Sequence, residues 1–308
     1  MPQTGIRLIA SLAVFTSLVS LPFCAVNAQT ESVVEQKAEQ QSGWSLFSPK
    51  GEEFSVRLPE TPSVTPGAKG SLSYFERSYA GYKDGIVYVI YSAKKGKDAK
   101  LGYFVEQFRS QLPKWTSGND VRSSELKLEG PVKLNGFKGE RHRVKLNDRV
   151  DGVVIFFLGS NRAYIVQAMG GDERVSAVSQ FYNSFSLRRK GEPFQEMDTT
   201  KSVLPSAALP PDDKVFDGKE VTNKAVAVVR LSPRYTSEAR SLGIKGKVVL
   251  KAVLLSAGRV AGIQVIEGLG AGLNENAIEA AELMRFIPAS KDGRFVSQRM
   301  QLEFYFDY

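Results

Sequence analysis

The chain has 308 residues and a formal net charge of +8, a length that allows about two domains. Its single histidine excludes histidine-rich metal sites and HExxH zinc proteases, and leaves one imidazole for any Ser-His-Asp triad. The charge is uneven: Trp44–Lys190 carries 24 basic and 15 acidic side chains, Asp217–Tyr308 only 13 and 10. A basic first domain suits an anionic partner, and a solvated Lys/Arg surface accounts for the same surplus.

Residues 1–28 are predicted to be a signal peptide. Arg7 precedes the apolar run Leu8 to Phe23, and Val26-Asn27-Ala28 is an A-x-A-like cleavage site. The run is shorter than the ~20 residues of a membrane helix, so cleavage after Ala28 and a periplasmic mature chain are expected. Retention as an inner-membrane anchor is the alternative. Leu21-Pro22-Phe23-Cys24 lacks the small residues that a lipid-attachment site needs before its cysteine. Loss of the leader removes the only thiol, and disulfides and thiolate chemistry with it. Residues 29–43 are Glu/Gln-rich and free of aromatics, the composition of a flexible tether.

Residues 44–190 are predicted to be a first folded domain. Ser45-Leu46-Phe47 is followed by Phe54-Ser55-Val56-Arg57-Leu58, an alternating border strand that Pro59 stops. Further strands are expected at Leu72–Tyr79, Ile86–Ser92, Glu125–Leu128, Gly139–Leu146, Val150–Leu158 and Arg162–Met169. Leu101, Phe104, Val105, Phe108, Leu112 and Trp115 form one helical stripe. A second helix, capped by Asp172, carries Val175, Val178, Phe181, Tyr182 and Phe185. Both stripes read as core. The order predicts an α/β/α sandwich on an antiparallel sheet. The Trp-x-x-Phe-Ser-Pro and Phe-Ser-Val-x-Leu-Pro openings, with the closing Phe181-Tyr182-Asn183-Ser184-Phe185, resemble the PsbP-like superfamily.

Residues 191–216 read as a linker. Pro193, Pro205, Pro210 and Pro211 among Ser, Ala, Asp and Glu favour an extended tether, which at ~3.1 Å per residue reaches roughly 80 Å.

Residues 217–308 are predicted to be an α+β domain with helices on one face of an antiparallel sheet. Arg230 to Tyr235 leads into Glu238-Ala239-Arg240, and Gly243-Ile244-Lys245-Gly246 opens a strand, Lys247 to Leu255. A second strand runs from Arg259 to Glu267, where Val260, Ala261, Ile263, Val265 and Ile266 suit burial. A helix begins at Leu273 with Asn274 as its expected N-cap, carries Ala277, Ala280, Ala281 and Met284, and ends at Arg285-Phe286-Ile287-Pro288-Ala289. In the closing strand Val296, Met300, Leu302, Phe304 and Phe306 share one face, with Gln298 the exception. Ser297, Arg299, Gln301, Glu303, Tyr305 and Asp307 share the wet one.

These motifs, in this order, resemble the C-terminal domain of the TonB energy transducers. The family pattern runs Tyr-Pro, Ala-Arg, Gly-x-Val, strand, Gly-x-Val, strand, Ala-rich helix, Arg-Phe-x-Pro-Ala, Gly and strand. In that family the domain grasps a short extended segment of outer-membrane receptors. The resemblance implies that a protein partner adds a strand to the terminal strand, through its backbone and through Val296, Ser297, Arg299, Gln301, Glu303 and Tyr305. A terminal strand at a sheet border offers free N–H and C=O groups for such pairing. Thr236 and Met284 stand where the family carries proline and tryptophan. The transducers also carry a membrane helix with a functional histidine and a long Pro-rich spacer. Here Leu8–Phe23 has no histidine, and a folded domain stands in the spacer's place.

Other chemistry is sparse. His142 lies between Arg141 and Arg143, which disfavours the imidazolium of a general base. Gly268-Leu269-Gly270-Ala271-Gly272 misplaces the third glycine of a dinucleotide loop and has no parallel βαβ context, so it reads as a turn. No catalytic residue, cofactor or metal is expected. Nucleic-acid binding has only charge to support it. The expected function is a non-enzymatic envelope interaction module. The alternatives are a membrane-anchored transducer for outer-membrane receptors, and an envelope ligand-binding protein whose C-terminal domain dimerises.

Overall fold

The computed structural model describes residues 43–66, 75–116, 124–146, 150–171, 175–189, 207–211 and 213–307. The segments expected as leader and tether, up to residue 42, Asp172, and most of the expected linker lie outside the described residues. The protein is α+β, largely antiparallel sheet with few helices.

Seven strands form the first sheet, in the order β3 (Ser63–Pro66), β4 (Arg77–Lys83), β5 (Ile86–Lys94), β9 (Arg162–Met169), β8 (Val150–Leu158), β7 (Phe137–Leu146), β6 (Ser124–Leu134). All neighbours pair antiparallel. β5 and β9 are central and buried on both faces, which is why they read as continuous apolar runs rather than alternating ones. The turn between β4 and β5 places Asp84 at φ 51° and Gly85 at φ 82°, the left-handed pair that closes a two-residue hairpin.

Helix α1 (Leu101–Thr116) lays Phe104, Val105, Phe108 and Leu112 on one face of this sheet, with Phe108 edge-on to Phe156 at 5.4 Å. The opposite face is covered by helix α2 (Ser176–Ser184) and a small sheet of β1 (Ser45–Phe47), β2 (Phe54–Leu58) and β10 (Ser186–Leu187). Here Trp44 meets Tyr88 at 5.4 Å and Phe181 meets Tyr88 at 5.1 Å. The residue capping α2 is Val175, without a side-chain bond. β2 pairs with β1 on one side and β10 on the other.

Glu52, in the β1–β2 turn, is fully buried. Its carboxylate accepts from Arg77 (3.1 Å), Tyr79 (3.0 Å), Ser92 (2.6 Å) and Tyr164 (3.2 Å) and pairs with Arg162 at 3.0 Å. Burial, reinforced by this carboxylate, pushes the Tyr79 and Tyr164 phenols up. A carboxylate this deep persists only with such a complete set of donors.

The second sheet runs β11 (Val215–Phe216), β17 (Arg294–Phe306), β13 (Gly246–Leu254), β14 (Val260–Glu267), and β16 (Ala289–Lys291) also pairs with β17. Helices α3 (Ser237–Ser241) and α4 (Leu273–Glu282) supply Ala239, Ala277, Ala280 and Ala281 to its core. Three details differ from the sequence reading. Gly272, at φ 75°, caps α4, while Asn274 lies inside the helix and its Oδ1 accepts from the Leu269 amide at 3.0 Å. Arg285–Ile287 is not a helix end but a strand, β15, antiparallel to β12 (Val226–Val229). Val265 and Ile266 are 41% and 48% exposed, because β14 is a border strand with register shifts against β13.

Residues 43–308 make one compact unit. α1 and its face of the first sheet share one apolar cluster with β12, β15 and the second sheet. At the seam the Tyr82 hydroxyl donates to the Ser256 carbonyl and accepts from the Gly85 amide, both at 3.0 Å. The Phe295 ring lies so close to Gly85 that a Cβ there would collide with it.

Candidate protein-interaction border

β17 is 13 residues long, and its pairing differs on its two sides. Towards β13 it pairs continuously, from Gly246↔Phe306 to Leu254↔Gln298. Leu302, Phe304 and Phe306 point into the core. Gln298, the polar exception on that face, is 2% exposed, and its Oε1 accepts from the Ala225 amide at 2.9 Å. The exception is thus a satisfied buried acceptor.

On the side away from β13, β11 runs parallel to Ser297–Gln298, while β16 pairs with Arg294–Val296 beyond the end of the β13 ladder. Val296 is half-buried opposite Ala289. Ser297 is fully buried: its hydroxyl donates to the Asp213 carboxylate and accepts from the Ser256 amide at 2.9 Å. From Arg299 to Phe306, no strand among the described residues pairs with this side.

On the wet face of that stretch Arg299, Gln301 and Tyr305 are exposed and Glu303 is half-buried. Arg299 pairs with Asp217 at 2.9 Å, Gln301 is exposed, and Tyr305 is 63% exposed. Glu303 accepts from the Tyr305 hydroxyl (2.6 Å) and Lys247 (3.0 Å). Those two bonds, Tyr305's first, hold its carboxyl below the usual range. Val249, the register partner of Glu303 on β13, is 4% exposed. Arg230, beside the Phe304 ring at 5.5 Å, donates to the Glu303 backbone carbonyl. Burial lowers the Arg230 pKa.

The remaining candidates offer less chemistry. His142 is 2% exposed, bonded to Glu140 at 3.2 Å and edge-on to Phe156 at 5.1 Å. Burial lowers its pKa, against the opposing pull of Glu140. Gly270, Ala271 and Gly272 all have positive φ, so the glycine-rich segment is a left-handed turn into α4. Among the described residues no group of three or more His, Cys, Asp and Glu side chains could hold a metal ion. None of their helices is long and apolar enough to cross a membrane. A cleft of about 620 Å³ at the seam is lined by Val150, Asp151, Val175, Ile287 and Phe295. Another of about 440 Å³ lies beside Glu53, Lys94, Lys95, Arg188 and Arg189. Neither cleft was visible in the sequence, because each gathers residues from distant turns.

No curated protein matches the chain. Among solved structures, cyanobacterial PsbP (CyanoP) from Synechocystis sp. PCC 6803 is 9% identical, covering 48% of this chain and 94% of its own, with a TM-score of 0.36. The TonB CTD from Pseudomonas aeruginosa is 23% identical, covering 34% of this chain and 96% of its own, with a TM-score of 0.24. A Bacteroides thetaiotaomicron structure is 16% identical, covering 50% of this chain and 51% of its own, with a TM-score of 0.29. The resemblance read from the motifs has its counterpart in a family match that contains the border just described: residues 232–308 match the Gram-negative bacterial TonB protein C-terminal family.

Proposed function

We propose that this chain is a non-enzymatic, periplasmic protein-interaction module of TonB type. It binds an extended segment of an envelope protein by strand addition to β17. The observation that carries this reading is the asymmetry of β17, paired with β13 on one side and, among the described residues, without a strand partner from Arg299 to Phe306 on the other. Successive residues of a strand turn their N–H and C=O groups to opposite sides. Arg230 reaches the Glu303 carbonyl from outside the β13 ladder, so Gln301, Glu303 and Tyr305 share the outward parity. Such a row of groups is a template for an incoming strand, and the alternate side chains beside it set selectivity. The outer-membrane receptors bound by the family are the class of partner that the resemblance suggests.

Photo-crosslinking tests the reading directly. A benzophenone side chain at Gln301 or Tyr305, in cells, is expected to cross-link to one extended segment of an envelope protein. Cross-links arising only from positions in the first domain, such as Lys95 at the basic cleft, would sink it and favour ligand binding there. Intact mass of the native protein decides whether the chain begins at Gln29 or keeps its leader.

A further inference from the structure

The border of β17 already holds a visitor, and it belongs to the chain itself. Ala207 forms a parallel bridge with Ala261 of β14, and Val215–Phe216 run parallel to Ser297–Gln298 of β17. The described residues 207–211 and 213–217 therefore lie from one border of the second sheet to the other, on the face opposite its main core. Val253, Leu255 and Ala261 on that face form a separate apolar cluster, with Ala207 and Val215 packed against it.

The contacts of this strap along β17 are specific. Asp213 accepts from the Ser297 hydroxyl, and Asp217 pairs with Arg299 at 2.9 Å. Val215 lies on the apolar cluster. The Phe216 ring receives the ammonium groups of Lys291 at 4.8 Å and Lys214 at 5.0 Å. The sequence Asp-Lys-Val-Phe-Asp thus makes pairing, charge and packing contacts that an incoming strand at this place would make. The pairing covers two residues and stops where the free stretch of β17 begins.

We propose that the strap is a resident stand-in for the partner: the border selects an extended peptide of the pattern carboxylate, any residue, β-branched, aromatic, carboxylate, and the partner displaces Asp213–Asp217 to bind. This rests on the strand-addition reading above. A tethered competitor acts at an effective concentration of the order of millimolar, so the intact protein holds its border closed to short peptides and opens it to a longer strand that also pairs from Arg299 onwards.

The probe is a fluorescent nonapeptide, Asp-Lys-Val-Phe-Asp-Thr-Val-Thr-Val, titrated by anisotropy into the full mature chain and into the triple variant Asp213→Ala, Val215→Ser, Asp217→Ala. The triple variant is expected to bind at least 10-fold more tightly than the wild type. The single variant Asp217→Ala, which removes an exposed pair and keeps the fold, should gain roughly 2- to 3-fold. A peptide with both aspartates changed to lysine should bind none of the three proteins. Equal affinity of all three proteins, or equal binding of the lysine peptide, overturns the proposal. If no protein binds the nonapeptide while cross-links at Gln301 and Tyr305 persist, the strap is a fixed structural element and only this inference falls. If those cross-links are also absent, the strand-addition reading falls with it.

Discussion

Arg230 donates its guanidinium to the backbone carbonyl of Glu303, on the side of β17 away from β13, where no strand among the described residues pairs from Arg299 to Phe306. The acceptor that an incoming strand would use is therefore already engaged, by a side chain and not by a backbone. Arg230→Met keeps the apolar stem beside Phe304 and removes this donor. Urea unfolding should show a loss of about 1 kcal/mol, and affinity for the strand-forming peptide should rise, since the carbonyl is released at no cost to the β13 ladder.

Glu52 fixes the first sheet to its small companion. Its carboxylate joins Arg77, Arg162, Tyr79, Ser92 and Tyr164. Glu52→Gln removes the charge from a fully buried site and leaves cationic neighbours behind. A destabilisation of roughly 3–5 kcal/mol is expected, read from the urea midpoint at constant slope.

Since His142 is the sole histidine, its titration can be isolated. Burial, the largest cause, lowers its pKa in the folded state, and Glu140 only partly offsets this. The unfolded chain titrates near the ordinary value of about 6.5, so below that pH it binds more protons than the folded chain. The stability due to neutral His142 is complete above the unfolded pKa and is lost as pH falls through the lower folded one. His142→Phe should flatten the stability profile below about pH 6.5 and leave it unchanged above. An identical acid slope in both proteins would refute the assignment.

Gly85 combines a φ of 82° with the close approach of Phe295. Gly85→Ala strains the β4–β5 turn and drives Phe295 outwards, at about 1–3 kcal/mol. Tyr82→Phe removes the bonds to Ser256 and Gly85 at about 1 kcal/mol. The Tyr82 phenol, pushed up to about 12 chiefly by burial, should regain ordinary titration when the seam is opened by Gly85→Ala. Alkaline difference absorbance follows that change.

The residues that were legible in the sequence are those whose partners follow from a local period. Phe104, Val105, Phe108 and Leu112 recur at helical spacing and meet the first sheet; Leu302, Phe304 and Phe306 alternate and meet the second. What stayed hidden depends on contacts between distant segments. Phe286 and Ile287 follow a helix and read as its end, yet β12 pairs with them. Ser297 reads as wet by its parity and is buried because Asp213 arrives from far along the chain. Ala207–Phe216 reads as tether from its prolines, since nothing local marks a two-residue strand.

The β4–β5 hairpin gives the seam a mechanical meaning. A partner tugging along β17 would load its ladder with β13 in shear, many hydrogen bonds at once. The stress would then pass through Phe295 and Ser256 into Gly85 and Tyr82, at the end of the seven-stranded sheet, instead of paying out slack between two beads on a string. Whatever grips the terminal strand therefore pulls on the whole body of the protein.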